Sequence, residues 1–176
     1  MNRLIIGFCG QPGAGKSTAA AALVELGFEP FSVADPIKRM LDVIVPDIAN
    51  RKDELIPHLG VTGRELIQTL AYEWGRVMVH SDIWLHPMFE AIDDPMTGDA
   101  VIDDVRFGNT VDAIHKRGGI VIRIVKPQSV IEKMRQLFGH RCEVGRIKAD
   151  FELTNSGTVA ELVSHVLALV CDHSHP

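Results

Sequence analysis

Cysteine is scarce in this 176-residue chain, and long apolar runs are missing. The three cysteines, Cys9, Cys142 and Cys171, are odd in number and far apart, which gives neither a disulfide framework nor a thiolate metal cluster. No apolar stretch reaches the roughly 18 residues of a membrane-spanning helix. The run Leu4–Phe8 is also too short for the apolar region of a secretory signal, and it leads into glycines instead of a cleavage site. No membrane partner is therefore expected, and reduced thiols in a cytoplasmic setting are. Positive charge is not in surplus either: 18 Lys and Arg stand against 23 Asp and Glu, for a net charge of -5. That balance repels a nucleic-acid backbone, so no nucleic acid is expected as a partner. Six of the eight histidines form no ligand pattern, and His173 and His175, which with Cys171 could touch a metal, are expected to lie in a frayed tail.

What is present fits one soluble domain spanning 1–176, with 46% hydrophobic and 23% charged residues. Short apolar runs recur at Leu4–Phe8, Pro30–Val33, Ala100–Val105, Ile120–Val125 and Phe151–Leu153, separated by segments long enough for helices. This alternation predicts an α/β fold, a central five-stranded parallel sheet flanked by helices. The run Ile120–Val125 is nearly unbroken and rich in β-branched residues, as a strand covered on both faces should be. Helix starts are legible at Asp35-Pro36, read as N-cap and first helical residue, and at Thr62 with Glu65 and Thr158 with Glu161, both spaced as capping boxes.

Gly10-Gln-Pro-Gly13-Ala14-Gly15-Lys16-Ser17 matches the pattern G-x-x-x-x-G-K-[ST], between an apolar strand and a helix-forming run that opens at Thr18. Glycines let such a loop curl until successive N–H groups point inward at phosphate oxygens, and the helix adds the positive end of its dipole. Residues Gly10, Gly13, Ala14, Gly15, Lys16, Ser17 and Thr18 are accordingly expected to bind ATP, with Lys16 reaching the β- and γ-phosphates and Ser17 ligating Mg²⁺. A second acidic element follows in Val101-Ile-Asp103-Asp104, where an apolar strand ends in two carboxylates. Adjacent strand residues face opposite sides, so one of the two should point at the metal.

A guanine-reading Asn-Lys-x-Asp segment is another absence, and it argues against a switch GTPase. Cations instead follow the sheet elements: Lys38, Arg39, Arg64, Arg76 and Arg106. Guanidinium forks in these places suit an anionic acceptor. A further basic stretch within about 132–150, including Arg135 and Arg141, is expected to form a mobile lid whose cations stabilise charge on a transferred phosphoryl group.

Taken in order, these segments resemble the bacteriophage-type deoxynucleoside monophosphate kinases. The resemblance rests on the phosphate loop, Val33-Ala-Asp35-Pro-Ile-Lys38, Gly63-Arg64 through Gln68 to Trp74-Gly75-Arg76, Ile102-Asp-Asp104-Val-Arg106-Phe-Gly-Asn109, and Asp150-Phe-Glu-Leu-Thr-Asn155-Ser-Gly157. It implies the P-loop kinase fold and transfer of the γ-phosphoryl group of ATP to a deoxynucleoside 5′-monophosphate, supplying DNA precursors in the host cytoplasm if the chain is phage-encoded. It further implies Asp104 as the metal-side carboxylate, Arg64, Gln68, Arg76 and Arg106 around the acceptor, and Asn155 and Gly157 packing on adenine. Where the family often has proline after the phenylalanine and glutamate after the asparagine, this chain has Gly108 and Thr110.

Asp35 and Lys38, following the second strand, complete the acceptor set, with Asp35 binding a sugar hydroxyl or assisting the metal. An acceptor phosphate is ionised near neutral pH, its second pKa being about 6, so little general-base help is needed. Two other readings stay open. One is a small-metabolite kinase similar to dephospho-coenzyme A kinase, in which Asp35 is a base for a hydroxyl; the other is a regulator that binds ATP without transferring phosphate. The expected assembly is a monomer or a homodimer.

Overall fold

The computed structural model describes residues 3–127 and 147–173. Arg135, Arg141 and most of the segment expected to form a lid lie outside the described residues. These residues group into two compact units, one drawn from Met1–Phe31 and Pro95–Pro176, the other from Ser32–Asp94.

In chain order the first unit opens with β1 (Ile5–Cys9), α1 (Lys16–Glu25) and β2 (Glu29–Phe31). The second unit holds α2 (Asp35–Asp42), β3 (Leu55–Ile56), β4 (Val61–Thr62), α3 (Gly63–Gln68), a π-helix (Thr69–Val79) and α4 (Leu85–Asp93). The chain then completes the first unit with β5 (Ala100–Val105), α5 (Gly108–His115), β6 (Ile120–Val125), β7 (Phe151–Thr154) and α6 (Val159–His173).

In the first unit the five apolar runs become one five-stranded sheet of order β2-β5-β1-β6-β7. Every ladder in it is parallel, as the alternation of strands and helical segments predicts. All five residues of β1 are buried, which suits a central strand covered on both faces. Pro30, which has no N–H to give, sits in the edge strand β2, where one side of the backbone needs no partner. The core joins Ile6, Phe8, Ile122 and Ile124 of the sheet to Ala19 and Leu23 of α1 and to Leu162, Val166 and Val170 of α6. The four-residue spacing of the α6 positions puts them on one face of that helix.

The second unit has its own core, in which Ile37 and Leu41 of α2 meet Val45, Ile48, Ile56 and Trp84. The indole N–H of Trp84 donates to the Ala71 carbonyl at 2.9 Å, so its burial leaves no orphan donor. Gly75 lies flat against the same ring, and a Cβ there would overlap it. Trp74, tilted at 44° to Trp84 with centroids 5.9 Å apart, stays partly exposed.

Three local features differ from the sequence expectation or add to it. Thr62 and Glu65 form the capping box as expected, but after α3 the backbone widens into the eleven-residue π-helix, a form with no propensity signature of its own. The short antiparallel ladder of β3 and β4 falls where no strand is predicted. At α2 the cap is Ala34, and Asp35 lies inside the first turn with its carboxylate on Lys38 Nζ at 3.0 Å. A proline second in the helix is still tolerated, because the early N–H groups have no intrahelical partner.

Candidate active site

The phosphate loop leaves the carboxyl end of central strand β1 and enters α1. Gly10, Gly13 and Gly15 all take left-handed backbone angles, with φ of 140°, 71° and 110°. Space reinforces the choice at Gly15, where a Cβ would come within 2.7 Å of Asn155 Nδ2 and 2.8 Å of Leu162 Cδ2. Gly15 is also the N-cap of α1 and no side chain caps that helix, so its first N–H groups are left for the space the loop encloses.

Lys16 and Ser17 open α1. The Lys16 ammonium donates to the carbonyls of Gly10 at 3.0 Å and Gln11 at 2.9 Å, which holds it across the mouth of the loop. Burial pushes its pKa below the usual lysine value, the Arg106 guanidinium pushes the same way, and Asp103, Cys9 and Asp104 oppose them. Arg106 itself is exposed just beyond β5. The Cys9 thiol at the end of β1 is raised by burial, against Arg123, so the thiol form is favoured.

The Ser17 hydroxyl donates to Asp103 Oδ2 at 2.9 Å. Asp103 is thus bonded to the loop serine, while Asp104, the carboxylate that the family resemblance implies, acts on the Lys16 ammonium by its charge. The ladder explains why alternation alone does not separate the two. Gly7 pairs with Ile102 but Cys9 with Val105, so β5 advances three residues while β1 advances two, an irregularity within the acidic pair.

A hydroxyl beside a carboxylate is a donor set that fits Mg²⁺, which takes oxygen ligands and keeps much of its water. Among the described residues no cluster of three or more His, Cys, Asp or Glu side chains is arranged to hold a metal by itself.

Asn155, expected to pack on adenine, donates from Nδ2 to the Ala14 carbonyl at 2.8 Å. Nothing in its sequence position distinguishes that role from a base contact. Gly157 lies against Glu161 in the turn, and Thr158 and Glu161 form the second capping box.

The remaining candidates belong to the second unit. Asp35 and Lys38 pair with each other. Arg64 meets Asp53 Oδ1 through both Nε at 2.8 Å and a terminal nitrogen at 2.6 Å. Arg76 donates to the Ser81 carbonyl at 2.8 Å, and Gln68 is exposed at the end of α3.

No protein-family model matches the chain. A curated protein of Acanthamoeba polyphaga mimivirus described as "Putative deoxynucleotide monophosphate kinase" is 29% identical over 188 residues, covering 95% of this chain and 96% of the relative. Among solved structures, TT1252 from Thermus thermophilus aligns with a TM-score of 0.57 at 15% identity over 98% of both chains. A dephospho-CoA kinase from Campylobacter jejuni aligns at 0.54 and 16% identity, over 97% of this chain and 96% of that one. A shikimate kinase from Aquifex aeolicus aligns at 0.53 and 16% identity, over 97% and 98%. Among the described residues no helix is long and apolar enough to cross a membrane. The chain thus has the fold of the P-loop kinases, and its sequence resemblance to deoxynucleoside monophosphate kinases extends, through the mimivirus relative, over nearly its whole length.

Proposed function

We propose that this protein transfers the γ-phosphoryl group of ATP to a deoxynucleoside 5′-monophosphate. The observation that carries the donor half is the loop itself, with left-handed glycines, an uncapped α1, the Lys16 ammonium across its mouth and the Ser17 hydroxyl on Asp103. Such a loop holds phosphates by main-chain N–H groups, and Lys16 adds the positive charge needed where negative charge spreads over the moving oxygens. Ser17 and Asp103 are the residues to hold Mg²⁺, which when bound offsets charge on the phosphate oxygens.

The acceptor half rests on the mimivirus relative and on the chemistry of the cations. A monophosphate brings its own nucleophilic oxygen already ionised, so the protein's task is to position two anions against their repulsion. Arg64, Arg76, Lys38 and Arg106 suit that task, and the Arg64 guanidinium, whose two N–H groups now converge on the single oxygen Oδ1 of Asp53, has the planar fork that matches two oxygens of a phosphate. Asp35, held by Lys38, is assigned to acceptor binding.

The test is coupled ADP release with ATP and a panel of deoxy- and ribonucleoside monophosphates plus dephospho-coenzyme A, with Lys16→Ala as control. Turnover with one or more deoxynucleoside monophosphates is expected. Turnover with dephospho-coenzyme A alone, or ADP release only at the control rate, overturns the reading. An Asp35→Asn variant should raise the acceptor KM with kcat largely kept, whereas abolished turnover identifies Asp35 as a base.

A further inference from the structure

The inner surface of a phosphate loop is a row of N–H groups, so its carbonyls must face outward into protein. A carbonyl buried there without a donor costs about as much as a lost hydrogen bond. Ala14 is 1% exposed, and its carbonyl accepts from the side chain of Asn155, 141 residues further along the chain. The Asn155 main chain is itself fixed, its N–H donating to Val125 O at 2.7 Å at the end of β6. The same amide nitrogen and Leu162 of α6 close on the face of Gly15 that a Cβ would occupy. The turn between β7 and α6 therefore forms the outer wall of the loop, at the peptide whose orientation decides which way the next N–H groups point.

We propose that Asn155 is a positioning residue of the phosphate site: its amide donor holds the Ala14 peptide in the phosphate-binding orientation, and it acts on the phosphates through the loop. This rests on the reading of the loop as the ATP site, and it differs from an adenine contact in one measurable respect. A brace on the loop serves any polyphosphate, whereas an adenine contact serves only a ligand that carries the base.

Calorimetric binding of Mg-ATP and of Mg-tripolyphosphate, without acceptor, separates the two. Asn155→Ala should weaken both ligands by a similar factor, roughly ten-fold or more, the loss expected when a buried carbonyl is left without its donor. Asn155→Asp, equal in size but offering an acceptor to an acceptor, should weaken both further. Asn155→His, which restores an N–H donor, should recover part of the loss for both ligands. Circular dichroism and thermal unfolding without ligand identify the folded variants, and Asn155→Ala decides the matter if Asn155→Asp does not fold. Tripolyphosphate binding within two-fold of wild type in folded Asn155→Ala overturns the proposal, whether or not ATP binding changes. A wild-type protein that binds neither ligand overturns the ATP-site reading itself, and is told apart because it needs no variant.

Discussion

The two units use their polar groups in different ways. In the first, the features that define the site are main-chain features: three left-handed glycines, an uncapped helix start, and carbonyls that fix the Lys16 ammonium. In the second, the candidates are long side chains already engaged by neighbours, Lys38 on Asp35, Arg64 on Asp53 and Arg76 on the Ser81 carbonyl. A site made of backbone is specified by the few residues that permit that backbone. A site made of side chains is specified by which partner each charge currently holds, and an arriving anion must offer more than that partner does. The first arrangement tolerates little substitution at its glycines. The second exchanges partners easily, because exposed ion pairs contribute only about 0–1 kcal/mol.

The comparison breaks most visibly at Lys16. Lys16→Ala should lower kcat by on the order of 10²- to 10³-fold, as loss of a single charge-stabilising group does elsewhere, with little change in the thermal midpoint. A variant that keeps turnover within ten-fold removes Lys16 from the donor site. Next comes Gly15→Ala, which puts a Cβ between Asn155 and Leu162 at a backbone angle L side chains rarely adopt. It should cost about 1–3 kcal/mol in urea unfolding and weaken ATP binding along with it.

A subtler effect sharpens the contrast. Removing the partner of Arg64 with Asp53→Ala should change stability by less than about 1 kcal/mol, since both groups are exposed. Steady-state kinetics should nevertheless show the acceptor KM moving while the ATP KM stays in place. Equal movement of both constants would remove the division of labour between the two sets of residues.

The smallest effect is one of pH, and it interrogates each unit separately. Glu65 in the second unit and Glu161 in the first are held below the usual carboxylate value of 4.5 by hydrogen bonds from Thr62 and Thr158. Where the folded form has the lower pKa, the unfolded chain binds more protons, so folding free energy is lost as pH falls. Both contributions are complete above 4.5 and fade as pH falls from there through the lowered folded values. Denaturation at stepped pH should show Thr62→Ala and Thr158→Ala each flattening part of that acid-side decline. An unchanged acid slope in either variant shows that the threonine hydroxyl adds nothing to the hold of its main-chain N–H on the glutamate.

Much of the first unit was legible because its rules are local. Alternating apolar runs place the five strands, with ends displaced by a residue or so, and the glycine spacing places the loop. Legibility failed where geometry depends on a partner strand or on distant sequence. Asp103 and Asp104 are separated by an irregularity in the ladder between β1 and β5 that neither strand announces alone. The bond of Asn155 to Ala14, 141 residues apart, has no signal in the sequence around either residue. The second unit was less legible because its π-helix and its two-residue strands carry no periodicity long enough to detect. Asp35 shows how near such readings come, one residue from its predicted capping position and already committed to Lys38.

The bond from Asn155 to Ala14 also carries a consequence for biosynthesis. The glycine motif leaves the ribosome well before its outer wall, which arrives with β7 and α6, Asn155 following Ala14 by 141 residues. A nascent chain that stops short of residue 150 contains the complete motif without the residues that close around it. Such a chain must leave the buried faces of Ala14 and Leu23 uncovered while it waits for the last helix. Truncation ahead of β7 is therefore expected to silence a motif that lies far upstream of the cut.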